Sequence, residues 1–149
     1  MLYVKSYYSL LSSLLSVDDI IDLNIRNGNN YAVICDNTMY GTMEFIKKCK
    51  QKGIKPVIGL ELVIEDKVIL FNAKDNTGYL NLVKLSTKAN TSKVELTDIN
   101  TYKESLIFVI PYSNRELLEL ITTPLVYLGY KDEQEKNKAL EITKRVVFL

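Results

Sequence analysis

Tyr31-Ala32-Val33-Ile34-Cys35-Asp36, an amphipathic stretch over 42–52, and Gly53-Ile54-Lys55-Pro56-Val57-Ile58-Gly59-Leu60-Glu61-Leu62 are the consecutive pieces that decide the fold class. The runs at 31–35 and 56–64 are β-branched and aliphatic and are bounded by turn residues, as strands buried in a sheet are. Between them Met43, Ile46 and Cys49 recur at helical spacing with Lys47, Lys48, Lys50 and Lys52 outward, which predicts a helix stopped by Gly53. Strand, helix, strand in that order implies a parallel pair joined by a covering helix.

The same rhythm extends in both directions. Further strand-like runs lie at 2–5, 67–73, 106–111, 125–130 and 145–149. Ser16-Val17-Asp18-Asp19 opens a helix that Gly28 ends, Ser113-Asn114-Arg115-Glu116 reads as a capping box, and Asp132 with Glu135 opens a last helix. Glu65-Asp66 separates two alternating runs, so 60–64 and 68–72 form a hairpin rather than a crossover. The expectation is an α/β fold of parallel strands and alternating helices with one hairpin. A closed barrel of eight such units needs about 250 residues, so this is either a small open α/β domain or the front part of a barrel. The run at 145–149 has no loop, helix or cap after it, which favours a single domain over 1–149 that continues beyond Leu149.

Composition bounds the function. With 47% hydrophobic and 25% charged residues the chain can bury one real core. Nineteen Lys and Arg against 18 Asp and Glu leave a net charge of +1, so no global field holds a polyanion and any nucleic-acid contact is local. The lysines of 47–52 are either the solvated face of their helix or such a local phosphate or partner contact. Cys35 and Cys49 make neither a disulfide framework nor a CxxC zinc site, which predicts a reducing, cytoplasmic setting. Cys35 reads as a small buried hydrophobe. No signal-peptide pattern opens the chain and no apolar run has the length of a membrane span. The ten tyrosines are scattered and form no stacking platform for single strands.

Three stretches carry a family resemblance. Leu2-Tyr3-Val4-Lys5-Ser6-Tyr7-Tyr8-Ser9-Leu10-Leu11 is similar to the first motif of the polymerase-and-histidinol-phosphatase (PHP) domain of bacterial DNA polymerase III alpha subunits, which runs His-Leu-His-Val-His-Ser, two residues, then Ser-Leu-Leu. Ala32-Val33-Ile34-Cys35-Asp36-Asn37-Thr38-Met39-Tyr40-Gly41, with Glu44-Phe45 after it, looks like the family's strand ending in Thr-Asp-His and its aromatic-Gly step. Residues 53–62 are the most specific, close to the family's Gly-Ile-Lys-Pro-Ile-Ile-Gly with Glu two residues on. Gly78-Tyr79-Leu80-Asn81-Leu82-Val83-Lys84-Leu85-Ser86 resembles the helix after the hairpin, and beyond Asn90 the similarity is weaker.

The resemblance implies the front part of a distorted, PHP-type β/α barrel. In active members His-x-His, an Asp and a Glu at strand ends help hold divalent metals, which activate water and clamp phosphate oxygens. Those positions fall here on Tyr3 and Lys5, on Asp36, and on Glu61. Two carboxylates survive, both imidazoles are replaced, and the whole chain contains no histidine. The expectation is therefore a degenerate site with no catalytic residue, metal or cofactor of its own. Asp36 is otherwise a helix or turn cap, and Glu61 a solvent-facing strand residue. Two carboxylates without a metal call for another cation, so Lys5 is expected within ion-pair distance of one of them and Tyr3 in the space of a lost imidazole.

Two classes of function follow. The leading one is a structural and subunit-interaction region of a replicative DNA-directed DNA polymerase. Its partners are the other polymerase domains and replication subunits, DNA is reached through the full-length parent, and no membrane is involved. Nucleotidyl transfer, with Mg, belongs to domains beyond residue 149. The enzyme-class alternative is a metal-dependent phosphoesterase or 3'-5' proofreading nuclease, and a third reading is an independent binding module.

Overall fold

The computed structural model describes residues 3–9 and 12–149. Leu2 of the first expected strand and Leu10 and Leu11 of the first motif lie outside the described residues. The strands are β1 (Tyr31–Asp36), β2 (Lys55–Ile64), β3 (Lys67–Ala73), β4 (Leu106–Pro111), β5 (Val126–Tyr130) and β6 (Val146–Phe148). They stand side by side in chain order in one curled, half-barrel sheet. β1 and β2 are parallel, as are β4, β5 and β6, whereas β3 runs antiparallel to both its neighbours. β3 is the one reversed strand: the chain returns from it to β4 through two helices, and the β2–β3 connection is the expected hairpin. Glu65 and Asp66, at φ 50° and 65°, form its two-residue turn and set Ile64 opposite Lys67.

Helices α1 (Val17–Arg26), α2 (Thr42–Gln51), α3 (Asn76–Thr91), α4 (Leu96–Tyr102) and α5 (Glu133–Ile142) cover the convex side. Ser16 caps α1 in a reciprocal box with Asp19, and Asp132 accepts from the Glu135 N–H at the start of α5. Gly28 and Gly53, at φ 73° and 67°, end α1 and α2 in the left-handed conformation that glycine adopts without strain. α4 has no counterpart in the periodicity of the sequence. It is fixed by Asp98 Oδ2, which accepts from the Glu95 N–H at 2.9 Å.

The alternation of each strand then divides the side chains. Ile34, Leu60, Leu62, Ile69, Phe71, Phe108 and Leu128 face the helices and form the main core. Cys35, Leu70 and Val109 turn to the concave side, with Tyr3, Val68, Tyr127, Val147 and Leu149 packed against them. Among the described residues no helix is long and apolar enough to cross a membrane.

Two expectations are corrected. Residues 3–5 are not a strand: among the described residues they are tied to the sheet by the Cys35 N–H, which donates to the Val4 C=O at 2.7 Å. The ladder goes no further because the next peptide N–H, at Ser6, is diverted to the Asp36 carboxylate. Ser113 to Glu116 do not form a capping box either. They lie inside a 3-10 helix (Tyr112–Glu119) kinked at Asn114, which starts straight from Pro111 with no side-chain cap. Asn114 is held by a long-range bond from its Nδ2 to the Val68 C=O at 3.0 Å, which local sequence does not reveal.

Candidate functional site

The parallel register of β1 and β2 sets Cys35 opposite Gly59 and Asp36 opposite Leu60, so Asp36 and Glu61 leave the sheet at the same end. The segment 3–9 lies across that end against the outer edge of β1, joined through Val4. All four family positions thus come to one rim of the sheet.

Glu61 is fully engaged. Lys5 Nζ lies 2.8 Å from Oε1, and the Tyr3 hydroxyl donates to Oε2 at 2.6 Å. The Lys5 and Glu61 side chains are 19% and 12% exposed, so the pair is shielded from water without being sealed from it. The ammonium also lies 5.8 Å from the centre of the Tyr3 ring. Burial, and after it the bond to Glu61, raises the Tyr3 hydroxyl above its ordinary range, so Tyr3 keeps its proton and acts as a donor. The ion pair expected of Lys5 is present and falls on Glu61, and Tyr3 adds a hydrogen bond to the same carboxylate.

Asp36 is served by a different set of groups. It is 1% exposed, and its Oδ1 accepts from the Ser6 N–H and the Ser9 hydroxyl, both at 2.7 Å. Its Oδ2 accepts from the Ser6 hydroxyl at 2.6 Å. Ser6 and Ser9 are themselves fully buried, and the Ser9 oxygen accepts in turn from the Asn37 N–H at 3.2 Å. Asp36 is therefore neither a helix cap nor an ion-pair partner. It is a buried carboxylate held by neutral donors, the arrangement that makes burial of such a group tolerable. Sequence reading singled out neither serine, although both stand in the first motif. The available signal was an Asp at a strand end in a chain without histidine, with two short hydroxyl side chains spaced i, i+3 on the segment facing it.

A second polar cluster holds this segment from outside. Glu44 accepts from the Tyr8 hydroxyl at 2.6 Å and from Tyr7 at 3.2 Å, and pairs with Lys48 at 2.6 Å. Lys48 also reaches Asp18 of α1 at 2.6 Å, and Lys52 reaches Asp22 at 2.6 Å. The Tyr8 ring lies so close to Gly41 that a Cβ there would sit 2.3 Å from it, which is why the aromatic-Gly step ends in glycine. Half of the lysine cluster is thus absorbed in tying α2 to α1.

The chemistry open to the rim is limited by these partners. Every oxygen of Asp36 and Glu61 already accepts a hydrogen bond, and the cation beside Glu61 is an ammonium that belongs to the chain. Among the described residues no three His, Cys, Asp or Glu side chains gather as a metal would require. Cys35, behind the rim, is fully buried, and burial followed by the charges of Glu61 and Asp36 pushes its thiol up, so it is no thiolate nucleophile.

A family model described as PHP domain matches residues 2–146. The chain is 43% identical over 93 residues to a protein named DNA polymerase III subunit alpha from Ureaplasma parvum serovar 3, covering 62% of the chain and 10% of that protein. Against the protein of the same name from Bacillus subtilis strain 168 it is 36% identical over 121 residues, 74% of the chain and 11% of that relative. The one from Mycoplasma genitalium is 30% identical over 162 aligned residues, 98% of the chain and 18% of its length. The chain spans about a tenth to a fifth of the length of these relatives.

Proposed function

This chain belongs to the PHP domain family, and from that premise we propose that it is the PHP region of a replicative DNA polymerase, a structural and subunit-interaction region that hydrolyses no phosphodiester itself. The relatives' names support the replicative setting. The observation that carries the inert-site reading is the occupation of both Glu61 oxygens by Lys5 and Tyr3. A divalent ion at Glu61 would have to displace an ammonium already paired there and would find no imidazole in the chain. The residues do not fit the metal cluster of active members. In this reading nucleotidyl transfer, its Mg²⁺ and its nucleotide substrates belong to other parts of a larger polymerase. The role left to this chain is to hold a shape against which polymerase domains and replication subunits pack.

The test is elemental analysis of the protein after dialysis against Mg²⁺, Mn²⁺ and Zn²⁺, with hydrolysis of single-stranded DNA and of a chromogenic phosphodiester followed in parallel. No stoichiometric transition metal and no hydrolysis are expected. A bound metal lost in Glu61→Ala, or hydrolysis abolished by the same substitution, would favour the metal-dependent phosphoesterase or proofreading nuclease instead. The replicative setting is tested separately by conditional depletion, which is expected to stop DNA synthesis before protein synthesis falls.

A further inference from the structure

On the helix-covered side, away from the rim, lies an open groove of about 830 Å³ between α2 and α3. Its origin is in the sheet. The β2–β3 ladder stops at Gly59 opposite Asn72, and below that point β3 turns away: Ala73 pairs with Leu106 and the Lys74 N–H donates to Ser105. The first half of β2 is left with β1 on one side and no strand on the other. Pro56, Val57 and Ile58 floor the groove, Met43 and Ile46 wall it from α2, and Tyr79 from α3. The Tyr79 hydroxyl touches Met43 Sδ at 3.9 Å, and the Met43 side chain is left 67% exposed. An exposed methionine over an apolar floor is a surface that adapts to a partner.

The rim of this groove is cationic. Lys55 and Lys74 line it, and Lys47 and Lys50 follow Met43 at i+4 and i+7 along the exposed side of α2. Among the described residues none of these four has a carboxylate within 4 Å, whereas Lys48 and Lys52 of the same helix are paired. The one lining carboxylate, Asp75, is committed to the Gly78 N–H at 3.1 Å and the Ser105 hydroxyl at 2.9 Å. An apolar floor edged by two unpaired ammonium groups, with two more along α2, complements a partner that is aliphatic or aromatic on one side and acidic around it.

The partner's form follows from Pro56. The Lys55 N–H donates to Asn30 at 3.0 Å, so Lys55 turns its peptide groups toward β1 and the next residue turns away, toward the groove. That residue is proline, which has no N–H to offer an incoming strand. An added strand would lose a ladder bond there, which favours binding through side chains. We infer that this groove docks an acidic amphipathic helix of another protein. The inference deepens the subunit-interaction role proposed above and rests on it.

The probe is a designed, fluorescently labelled peptide of roughly 18 residues, about five turns, with Leu and Phe along one face and Glu elsewhere. A basic peptide of the same apolar pattern, an acidic peptide with that pattern scrambled, and a single-stranded oligonucleotide serve as comparisons. The acidic amphipathic peptide is expected to bind alone, to shift the amide resonances of Ile58 and Tyr79, and to bind more weakly as salt is raised. Met43→Asp should weaken it roughly tenfold without changing the melting temperature, and Lys55→Glu with Lys74→Glu by a similar factor. If the aspartate perturbs α2, Met43→Gln replaces it.

Absence of saturable binding, binding insensitive to both Met43 variants, or equal binding of the basic or scrambled peptide overturns the inference. So does an oligonucleotide that shifts the same resonances more strongly, or a self-association abolished by Met43→Asp, since the occupant is then nucleic acid or a second copy. Failure here removes the groove and leaves the metal analysis and the depletion experiment, which test the proposed function, standing apart.

Discussion

The convex core and the polar rim at the ends of β1 and β2 share those two strands but are held by opposite means. In the core, Ile34, Leu60, Phe71 and Phe108 are interchangeable in kind, since what each position requires is apolar volume on one side of a strand. At the rim each group answers one other group: Tyr3 and Lys5 to Glu61, Ser6 and Ser9 to Asp36. One region is held by shape and area, the other by counted donors and acceptors. The core should therefore fail in proportion to the volume removed. The rim should fail according to whether a substitute can still accept or donate.

The largest effect is expected in the core. Phe71 is fully buried and meets Phe108 edge to face, with ring centres 5.1 Å apart. Phe71→Ala should cost about 3–5 kcal/mol in a urea titration, and Phe71→Leu much less. If Leu were as damaging as Ala, position 71 would depend on ring-specific contact rather than volume, and the contrast with the rim would shrink.

Asp36 comes next. Asp36→Ala strands the buried Ser6 N–H and two hydroxyls, and about 2–3 kcal/mol should be lost. Asp36→Asn should recover most of it. Its carbonyl oxygen can take the two bonds now on Oδ1, while its amide donates to a Ser6 hydroxyl turned to accept. An Asn as damaging as Ala would show that the negative charge itself is needed, and the neutral-donor account of Asp36 would fall.

For Glu61 the order reverses, because its main partner is a cation. Lys5→Met should cost about 1–2 kcal/mol, between the values for exposed and for fully buried pairs, given its part-buried geometry. Glu61→Gln alone should cost a similar amount, and the two together less than their sum. Strict additivity would mean that the 2.8 Å contact contributes nothing and that Tyr3 alone orients Glu61.

The same contrast explains what the sequence made legible. β1 to β6, the hairpin and four of the helix starts or stops follow from periodicity, caps and positive-φ turns, all of which are local signals. Tyr3, Lys5, Asp36 and Glu61 were found through motif alignment with a family, and the pairing of Lys5 with a carboxylate follows from charge balance. Ser6 and Ser9 were not singled out, because a buried serine and an exposed one look alike until the acceptor facing it is known. The strand expected at 2–5 is not formed over its described residues, 3–5, for a related reason. A β-branched pattern reports propensity, but the Ser6 N–H had a stronger acceptor in Asp36 than the next carbonyl of β1. The groove between α2 and α3 was invisible because it depends on where β3 leaves β2, a matter of register between distant residues.

The smallest effect belongs to the exposed clamp between α1 and α2, and its pH dependence separates charge from packing. Glu44 and Asp18 both lie below the ordinary carboxylate range, each chiefly through its bond to Lys48, and Lys48 is raised above its own range by Asp18 and then Glu44. A lowered carboxyl stabilises the fold fully above its unfolded value, near 4, and the contribution disappears as pH falls through the lowered folded value. A raised ammonium stabilises fully below about 10.4 and loses its contribution as pH rises through the raised value. The stability difference between the parent and Lys48→Met should therefore be flat from about pH 5 to 10 and vanish toward acid. It should also shrink with added salt across the plateau, since these side chains reach water. Urea midpoints of both proteins across pH give the measurement. A difference that survived at low pH, with every carboxylate protonated, would assign the clamp to the aliphatic stem of Lys48 lying between the helices. In that case the α1–α2 clamp would belong with the core, held by area, in contrast to Asp36 and Glu61, which are held by paired donors and acceptors.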